Sequence, residues 1–334
     1  MRLLALPILI GLSACATTTT TTPDTATATT TMKAAASLER GRRPAPPAKA
    51  ITVAPLEFSD TADFAYVDGK TGEQLSFSAV LERLRESKVV VVGEQHDQAS
   101  HHELQRRVVQ AMAGDGPGLV VGLEMLSWEH QPELDRFNQG DVDADGLRDA
   151  VDWKKAWGFD FGLYEPIFNV GHTGGARFLA LNAPRGLVRS IRRQGLDGLS
   201  PSDRAMVPEL DLGDPLHRAW FERIFSSAGH PLKAADVDGF YRAQVLWDES
   251  MADRAATAIK EGARQVIVLA GAGHVANGRG IPQRVERRLG VRVLAVVPMS
   301  GVDNGNAVEA IQKAVRAGEG DILVVPRFEP EIAL

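Results

Sequence analysis

Two segments of the chain place a histidine three residues after a glycine that interrupts an apolar run. In the first, Val89–Val92 precede the glycine, and Glu94 and His96 follow it. In the second, the run 265–271 ends in glycine, and His274 follows. One carboxylate with two or three imidazoles can hold a transition metal with open coordination positions, and such a metal activates water. The alternative is structural, with Glu94 capping the next helix and His96 bonded to the backbone.

Two further apolar runs also end in polar residues. Residues 119–123 lead into Glu124, and residues 178–181 lead into Asn182, with Arg185 three positions later. The carboxyl ends of parallel strands meet at one edge of a sheet. If these runs are neighbouring parallel strands, six side chains converge at that edge: Glu94, His96, Glu124, Asn182, Arg185 and His274.

The elements that must position these side chains are strands and helices in alternation. The run Val89–Val92 is β-branched and does not alternate with polar residues, which indicates a strand covered on both faces. Apolar runs of this kind alternate with amphipathic helical patterns along the rest of the chain. The pattern predicts a single α/β domain over residues 51–334, with a mostly parallel central sheet and helices on both faces.

Charge and motif content disfavour several classes of ligand. The formal net charge of −6 gives no reason to expect a nucleic-acid partner. No phosphate-binding loop, nucleophile elbow or complete dinucleotide-binding glycine fingerprint follows a strand-like run. A dinucleotide cofactor is therefore not expected.

The first fifty residues predict secretion and attachment to a membrane. Residues 1–14 carry one basic residue and an apolar core, which is typical of a signal peptide and too short to span a bilayer. They end in Leu-Ser-Ala before Cys15, the only cysteine, which is the pattern of a bacterial lipoprotein whose cysteine is acylated. Residues 15–50 are rich in threonine and proline and predict a disordered tether. Ala16, in place of aspartate, favours delivery to the outer membrane of a Gram-negative bacterium.

The order and spacing of the motifs resemble those of the ChaN family of haem-binding lipoproteins. The elements that carry the resemblance are 93–97 with 101–105, then 122–125, Trp157 with 164–167, 181–185, 271–274 and 280–282. The resemblance implies an α/β fold and a role in haem or iron acquisition. The pattern is also similar to the Tiki, PrgY and erythromycin-esterase group, in which paired Gly-x-x-His motifs and acidic residues form a site.

The resemblance implies, first, a membrane-anchored haem-binding lipoprotein. A haem needs an apolar slot, an axial ligand and basic groups for its propionates. The axial ligand is then a histidine or a tyrosine, and Arg185 is a candidate for a propionate. Further expectations are a homodimer and a transport partner in the outer membrane. The candidate haem-binding residues are Glu94, His96, His102, Glu124, Tyr164, Asn182, Arg185, Tyr241 and His274.

The alternative implied by the same resemblance is a divalent-metal-dependent hydrolase, a Tiki-like protease or an esterase. A metal would then activate water for the attack on the substrate. A third possibility is a scaffold lipoprotein whose polar cluster has no remaining chemistry. The sequence leaves open whether the protein is an enzyme. The candidate metal ligands are Glu94, His96, Glu124 and His274.

Replacement of the only cysteine tests the predicted lipid anchor. Cys15→Ser removes the thiol that would be acylated, so the variant is expected to remain unprocessed or to be released from membranes. Membrane fractionation and the intact mass of the purified chain measure both outcomes. Normal membrane recovery and an unchanged mass would instead indicate an unmodified cysteine in an ordinary signal peptide.

Overall fold

The computed structural model of the protein describes residues 53–58, 63–227, 234–302 and 305–327. Cys15, the signal peptide predicted over 1–14 and the tether predicted over 15–50 lie outside these described residues. All three therefore remain predictions, as do the outer limits of the domain predicted over 51–334.

A mostly parallel sheet lies at the centre of the described part of the chain. Its strands are β1 (Phe64–Asp68), β2 (Gln74–Leu75), β3 (Val89–Glu94), β4 (Leu119–Ser127), β5 (Arg177–Asn182), β6 (Gln265–Gly271), β7 (Val293–Pro298) and β8 (Ile322–Pro326). Across the sheet their order is β2-β1-β8-β7-β3-β6-β4-β5. The six strands from β8 to β5 run parallel, and β1 pairs antiparallel with both β2 and β8.

Helices follow most of the strands. They are α1 (Phe77–Glu86), α2 (Ala99–Ala113), α3 (Gln131–Asn138), α4 (Ala144–Ala150), α5 (Trp153–Ala156), α6 (Glu165–Thr173), α7 (Arg185–Gln194), α8 (Pro201–Met206), α9 (Pro215–Ser227), α10 (Ala234–Lys260), α11 (Ile281–Leu289) and α12 (Ala307–Ala317). Within the ranges described, none of them combines the length and the apolar character needed to cross a membrane.

Side chains of β3 alternate between two hydrophobic cores. Val90 and Val92 pack with α1, α2 and the segment from α3 to α6, whereas Val89 and Val91 pack with α10, α11 and α12. All four valines are fully buried. Each such side chain contributes roughly 1.5–3 kcal/mol when it leaves water. The predicted fold class, a mostly parallel sheet with helices on both faces, is thereby confirmed.

A buried carboxylate joins the long helix α10 to α11 and to the loop before α9. Glu249 is fully buried and forms ion pairs with Arg284, Arg287 and Arg288 at 3.2, 2.8 and 2.6 Å. It also accepts a hydrogen bond from the backbone N–H of Asp211 at 3.0 Å. Because α10 carries one of the site residues described below, this cluster fixes the helix that supports the site.

Neutralising this carboxylate is expected to destabilise the fold. Glu249→Gln leaves three arginines without their shared counter-charge, so the free energy of unfolding should fall by about 3 kcal/mol. Urea denaturation followed by circular dichroism measures the change. The control is Glu222→Gln, which removes an exposed carboxylate paired with Arg218 and should cost less than about 1 kcal/mol. Equal losses for the two variants would contradict the assigned role of Glu249.

Candidate functional site

The strand order brings four carboxyl ends together at one edge of the sheet. β6 lies between β3 and β4, and β4 pairs with β5. Glu94, the last residue of β3, is opposite Gly271, the last residue of β6. Glu124 lies in the last part of β4, and Asn182 ends β5. Asn182 donates a hydrogen bond to the backbone oxygen of Glu124 at 2.9 Å, which ties these two strand ends together.

Glu94 is a buried carboxylate surrounded by donors. One of its oxygens accepts from His96 Nδ1 at 2.8 Å and from the Tyr164 hydroxyl at 2.7 Å. The other accepts from Gln105 Nε2 at 2.8 Å and lies 3.6 Å from His102 Nδ1. Burial raises the pKa of Glu94, but the neighbouring imidazoles and the Tyr164 hydroxyl outweigh that effect and lower the pKa to about 2. The carboxylate is therefore ionised at neutral pH.

His96 presents its second ring nitrogen to the mouth of the site. Its Nδ1 is held by Glu94, and no hydrogen bond from the described residues reaches Nε2. The imidazole lies directly over Gly271, where an added Cβ would be 2.7 Å from Cε1 and 3.1 Å from Nε2. Glycine at 271 therefore makes room for the ring. Burial lowers the pKa of His96, whereas Glu94 and Glu124 raise it, and the net direction is upward.

A second buried carboxylate is linked to an imidazole and a third carboxylate. Glu124 accepts a hydrogen bond from the Gly271 N–H at 2.5 Å, and its other oxygen lies 3.3 Å from His274 Nε2. His274 Nδ1 donates to Asp248 at 2.6 Å. Burial lowers the pKa of His274, but the charges of Glu124 and Asp248 raise it to about 10. His274 is thus an imidazolium with both ring nitrogens engaged.

Asp248 extends this chain away from the site. Its second oxygen lies 3.4 Å from His217 Nε2, and the Tyr241 hydroxyl is 3.2 Å from His217 Nδ1. All three side chains are buried. Tyr241 therefore belongs to the packing behind His274, not to the mouth of the site.

The sequence-predicted residues form two groups in the structure, and Arg185 and Tyr241 lie outside both. The Glu94 group contains Glu94, His96, His102 and Tyr164, and the Glu124 group contains Glu124, Asn182 and His274. Arg185 is exposed and donates to the backbone oxygen of Ala156, next to Trp157. Tyr241 lies behind the second group.

Sequence reasoning missed three contributors to the site. Gln105 and Asp248 both hydrogen-bond to its central groups, and Phe159 packs against His96 with ring centroids 4.9 Å apart. Asp248 could have been found from the pattern of α10. Gln244 and Asp248 are polar residues four positions apart within an otherwise apolar helical stripe, which indicates a buried polar pair. For Phe159 the sequence contains no comparable signal, because a loop delivers it.

Aromatic side chains wall the mouth of the site. The Trp157 ring meets His96 edge-on with centroids 4.8 Å apart. On the other side, the Trp247 ring meets His274 edge-on at 6.3 Å. Trp220 reaches to 3.7 Å from the place that a Cβ on Gly273 would occupy. The mouth therefore combines a free imidazole nitrogen with apolar walls, an arrangement suited to a flat, largely apolar ligand.

The candidate metal ligands Glu94, His96, Glu124 and His274 lie near one another but are paired chiefly among themselves. In the part of the chain that the structure describes, no group of three or more His, Cys, Asp or Glu side chains is arranged to hold a metal ion. The assignment of these four residues to a metal stays a prediction.

Comparisons with known proteins agree with this architecture. A family model described as "Haem-binding uptake, Tiki superfamily, ChaN" matches residues 80–285. A solved structure described as cofacial heme binding to ChaN of Campylobacter jejuni has a TM-score of 0.63 and 23% identity, covering 80% of this chain and 98% of that chain. At that identity the likeness shows a shared fold. Protein RETICULATA-RELATED 5, chloroplastic, of Arabidopsis thaliana is 24% identical over an alignment of 233 residues that covers 63% of this chain and only 31% of that protein.

Acid unfolding tests the environment of Glu94. Its pKa is lowered from 4.5 to about 2 in the folded protein. The ionised carboxylate therefore stabilises the fold fully above pH 4.5, and this stabilisation is lost as the pH falls toward 2. Between these limits the wild type should lose on the order of 3 kcal/mol more unfolding free energy than Glu94→Gln. The exposed control Glu82→Gln should follow the wild type, and identical pH profiles for Glu94→Gln and wild type would contradict the assignment.

Proposed function

Because the chain belongs to the ChaN family of haem-binding uptake proteins in the Tiki superfamily, we propose that it binds haem at the carboxyl edge of its sheet. The resemblance that the motif order predicted is confirmed by this membership. The matched residues 80–285 include every site residue described above. The observation that carries the proposal is the pair Glu94–His96, in which the imidazole keeps Nε2 without a partner among the described residues and packs beside two aromatic side chains.

In this proposal His96 would hold the haem iron. A histidine that binds a metal through one nitrogen typically donates its other N–H to a carboxylate or carbonyl, which orients the ring and raises its basicity. Glu94 accepts such a bond from His96 Nδ1 at 2.8 Å and leaves Nε2 for the iron. When bound, the haem iron would supply the coordination site for this nitrogen.

The other candidate ligands fit less well. Both ring nitrogens of His102 and of His274 are close to protein partners. The Tyr164 hydroxyl is buried and bonded to Glu94, and burial together with that charge raises its pKa well above the ordinary value. Burial raises the pKa of Tyr241 to about 12. A phenolate ligand would require either tyrosine to leave its hydrogen bonds and lose its proton.

The surroundings of His96 supply the other needs of a haem. Trp157 and Phe159, whose ring centroids lie 5.6 Å apart, both pack against the imidazole and offer apolar contacts beside it. Arg185 is exposed and uses one nitrogen for the oxygen of Ala156, so its remaining N–H groups are available to a propionate.

The wider function in the proposal is haem or iron acquisition by a lipoprotein. Acylation of Cys15 would attach the domain to the outer membrane through the segment 15–50. A transport partner in that membrane would receive or deliver the haem. The related protein of Campylobacter jejuni is described as binding cofacial haem, and a homodimer of the present chain with two haems is the corresponding arrangement here.

A divalent-metal hydrolase is the second candidate function. The observation in its favour is that His96 Nε2 and Glu124 Oε2 face the same place above Gly271, at 3.1 and 3.5 Å from the position of an added Cβ. A metal held there would activate water for attack on a peptide or ester. Stoichiometric divalent metal in the purified protein, together with such cleavage, would favour this function over haem binding.

Titration with haemin tests the proposed ligand. The wild type is expected to bind haemin saturably, with a shift of the Soret band, in a one-to-one or two-to-two complex. His96→Ala removes the axial nitrogen and should abolish that shift while circular dichroism stays unchanged. The matched control is His172→Ala, an exposed histidine of α6 that packs on Phe137 and should bind as the wild type does.

Two other results of this titration would distinguish a wrong ligand assignment from a wrong function. If the Soret shift is lost in Tyr164→Phe but kept in His96→Ala, the iron ligand is the Tyr164 phenolate and not His96. Absence of saturable haemin binding by the wild type would contradict the proposed function itself.

A further inference from the structure

The helix α7 has an unusual distribution of charge. Its ten residues, 185–194, include four arginines and no acidic residue. Leu187, Val188 and Ile191 form its buried face and pack on α10. Arg185, Arg189 and Arg193 are exposed and follow one another at intervals of four, so they form a row along the outer face.

These arginines lack the partners that most other arginines of the structure have. Elsewhere on the surface, Arg106, Arg148 and Arg218 each pair with a carboxylate within 2.8 Å. Among the described residues, no carboxylate forms an ion pair with any of the four arginines of α7. The fourth, Arg192, instead lies over the ring of Phe240 at 3.7 Å.

The helix dipole does not account for this row. Cations near the carboxyl end of a helix are favourable, which suits Arg192 and Arg193, but a cation in the first turn is unfavourable. Arg185 is the first residue of α7, and Arg189 is in its middle. Like charges four residues apart also repel each other. The row is therefore costly to the free protein, although the chain as a whole has a net charge of −6.

Exposed apolar surface lies beside this row. Met206, at the end of α8, is 44% exposed. It borders a pocket of about 390 Å³ that is also lined by Ser190 and Leu187 of α7, by Trp128 and by two acidic residues, Glu129 and Asp203. A surface that joins unpaired cations to an exposed apolar side chain has the composition of an interfacial membrane contact.

We propose that the face formed by Arg189, Arg193 and Met206, hereafter the α7 face, docks on the surface of an anionic phospholipid bilayer. The arginines contact lipid phosphates, and Met206 inserts among the headgroups. Phosphate groups provide the counter-charge that the described residues do not, and the guanidinium fork binds them in a bidentate manner. Because Arg185 lies next to the loop that carries Trp157, docking sets the mouth of the site close to the membrane surface.

Vesicle binding of the full mature chain tests this inference. The chain carries Cys15→Ser so that no attached lipid contributes, and vesicles are made of phosphatidylcholine alone or of equal parts phosphatidylcholine and phosphatidylglycerol. Cosedimentation is expected with the anionic vesicles only, and it should weaken as salt is added. Arg189→Gln with Arg193→Gln should reduce this binding about 25-fold, since each cation near an anionic surface contributes about 1 kcal/mol.

The matched control removes the same charge elsewhere. Lys313→Gln with Arg316→Gln changes two exposed cations on α12, which packs near β8, while α7 follows β5 at the far end of the sheet. This pair should leave vesicle binding unchanged. Met206→Ser should weaken binding without altering its salt dependence.

Two results would overturn the proposal. One is equal weakening by both double variants, which would mean that net charge alone governs binding. The other is no preference of the wild type for anionic vesicles. Circular dichroism of every variant excludes unfolding as the cause. Neither variant pair includes a residue assigned to haem, so haemin titration of the same proteins shows separately whether the proposed function holds.

Discussion

The burial of the Glu94 carboxylate is the constraint on which the site depends. An ion removed from water is strongly destabilising unless charges and hydrogen-bond donors replace its hydration. Those donors come from separate parts of the chain: Gln105 from α2, Tyr164 from the start of α6 and His96 from the loop after β3. Each of these elements must be in place for Glu94 to remain ionised. The same interactions that stabilise the carboxylate therefore orient the imidazole of His96.

The Glu124 carboxylate connects the helices on the other face of the sheet to the same carboxyl edge. Glu124 is held by the Gly271 N–H and by His274, and His274 is held by Asp248 of α10. The helices on the two faces of the sheet thus meet through two polar chains, one centred on Glu94 and one on Glu124. Gly271 lies between them, and the absence of its side chain leaves room for the His96 ring. Because helices on both faces of the sheet hydrogen-bond to these polar residues, the site is a rigid support for a bound group.

The proposed functions use different surfaces of this scaffold. Haem binding uses the free nitrogen of His96 and the aromatic walls beside it, and so depends on the polar centre below. Membrane docking uses the outer face of α7, where the arginines form no ion pair with a carboxylate among the described residues. Arg185 lies where the two surfaces meet, because α7 begins directly after the strand end that borders the site. A haem at His96 and a bilayer at α7 would then be close to each other, as haem transfer at a membrane requires.

The fold class and the family could be inferred from the residue pattern alone. A run of four valines can be buried on both faces only in a covered sheet, and alternating strands and helices make that sheet parallel. The same pattern indicated which strand ends carry acids and imidazoles. The packing of the layers, by contrast, leaves His96 one nitrogen without a partner among the described residues and engages both nitrogens of His102 and His274. It also brings Asp248 and Gln105 into the site and sets Tyr241 behind it. Hydrogen-bond partners of a buried group come from residues distant in sequence, and their geometry is fixed only when the layers pack together.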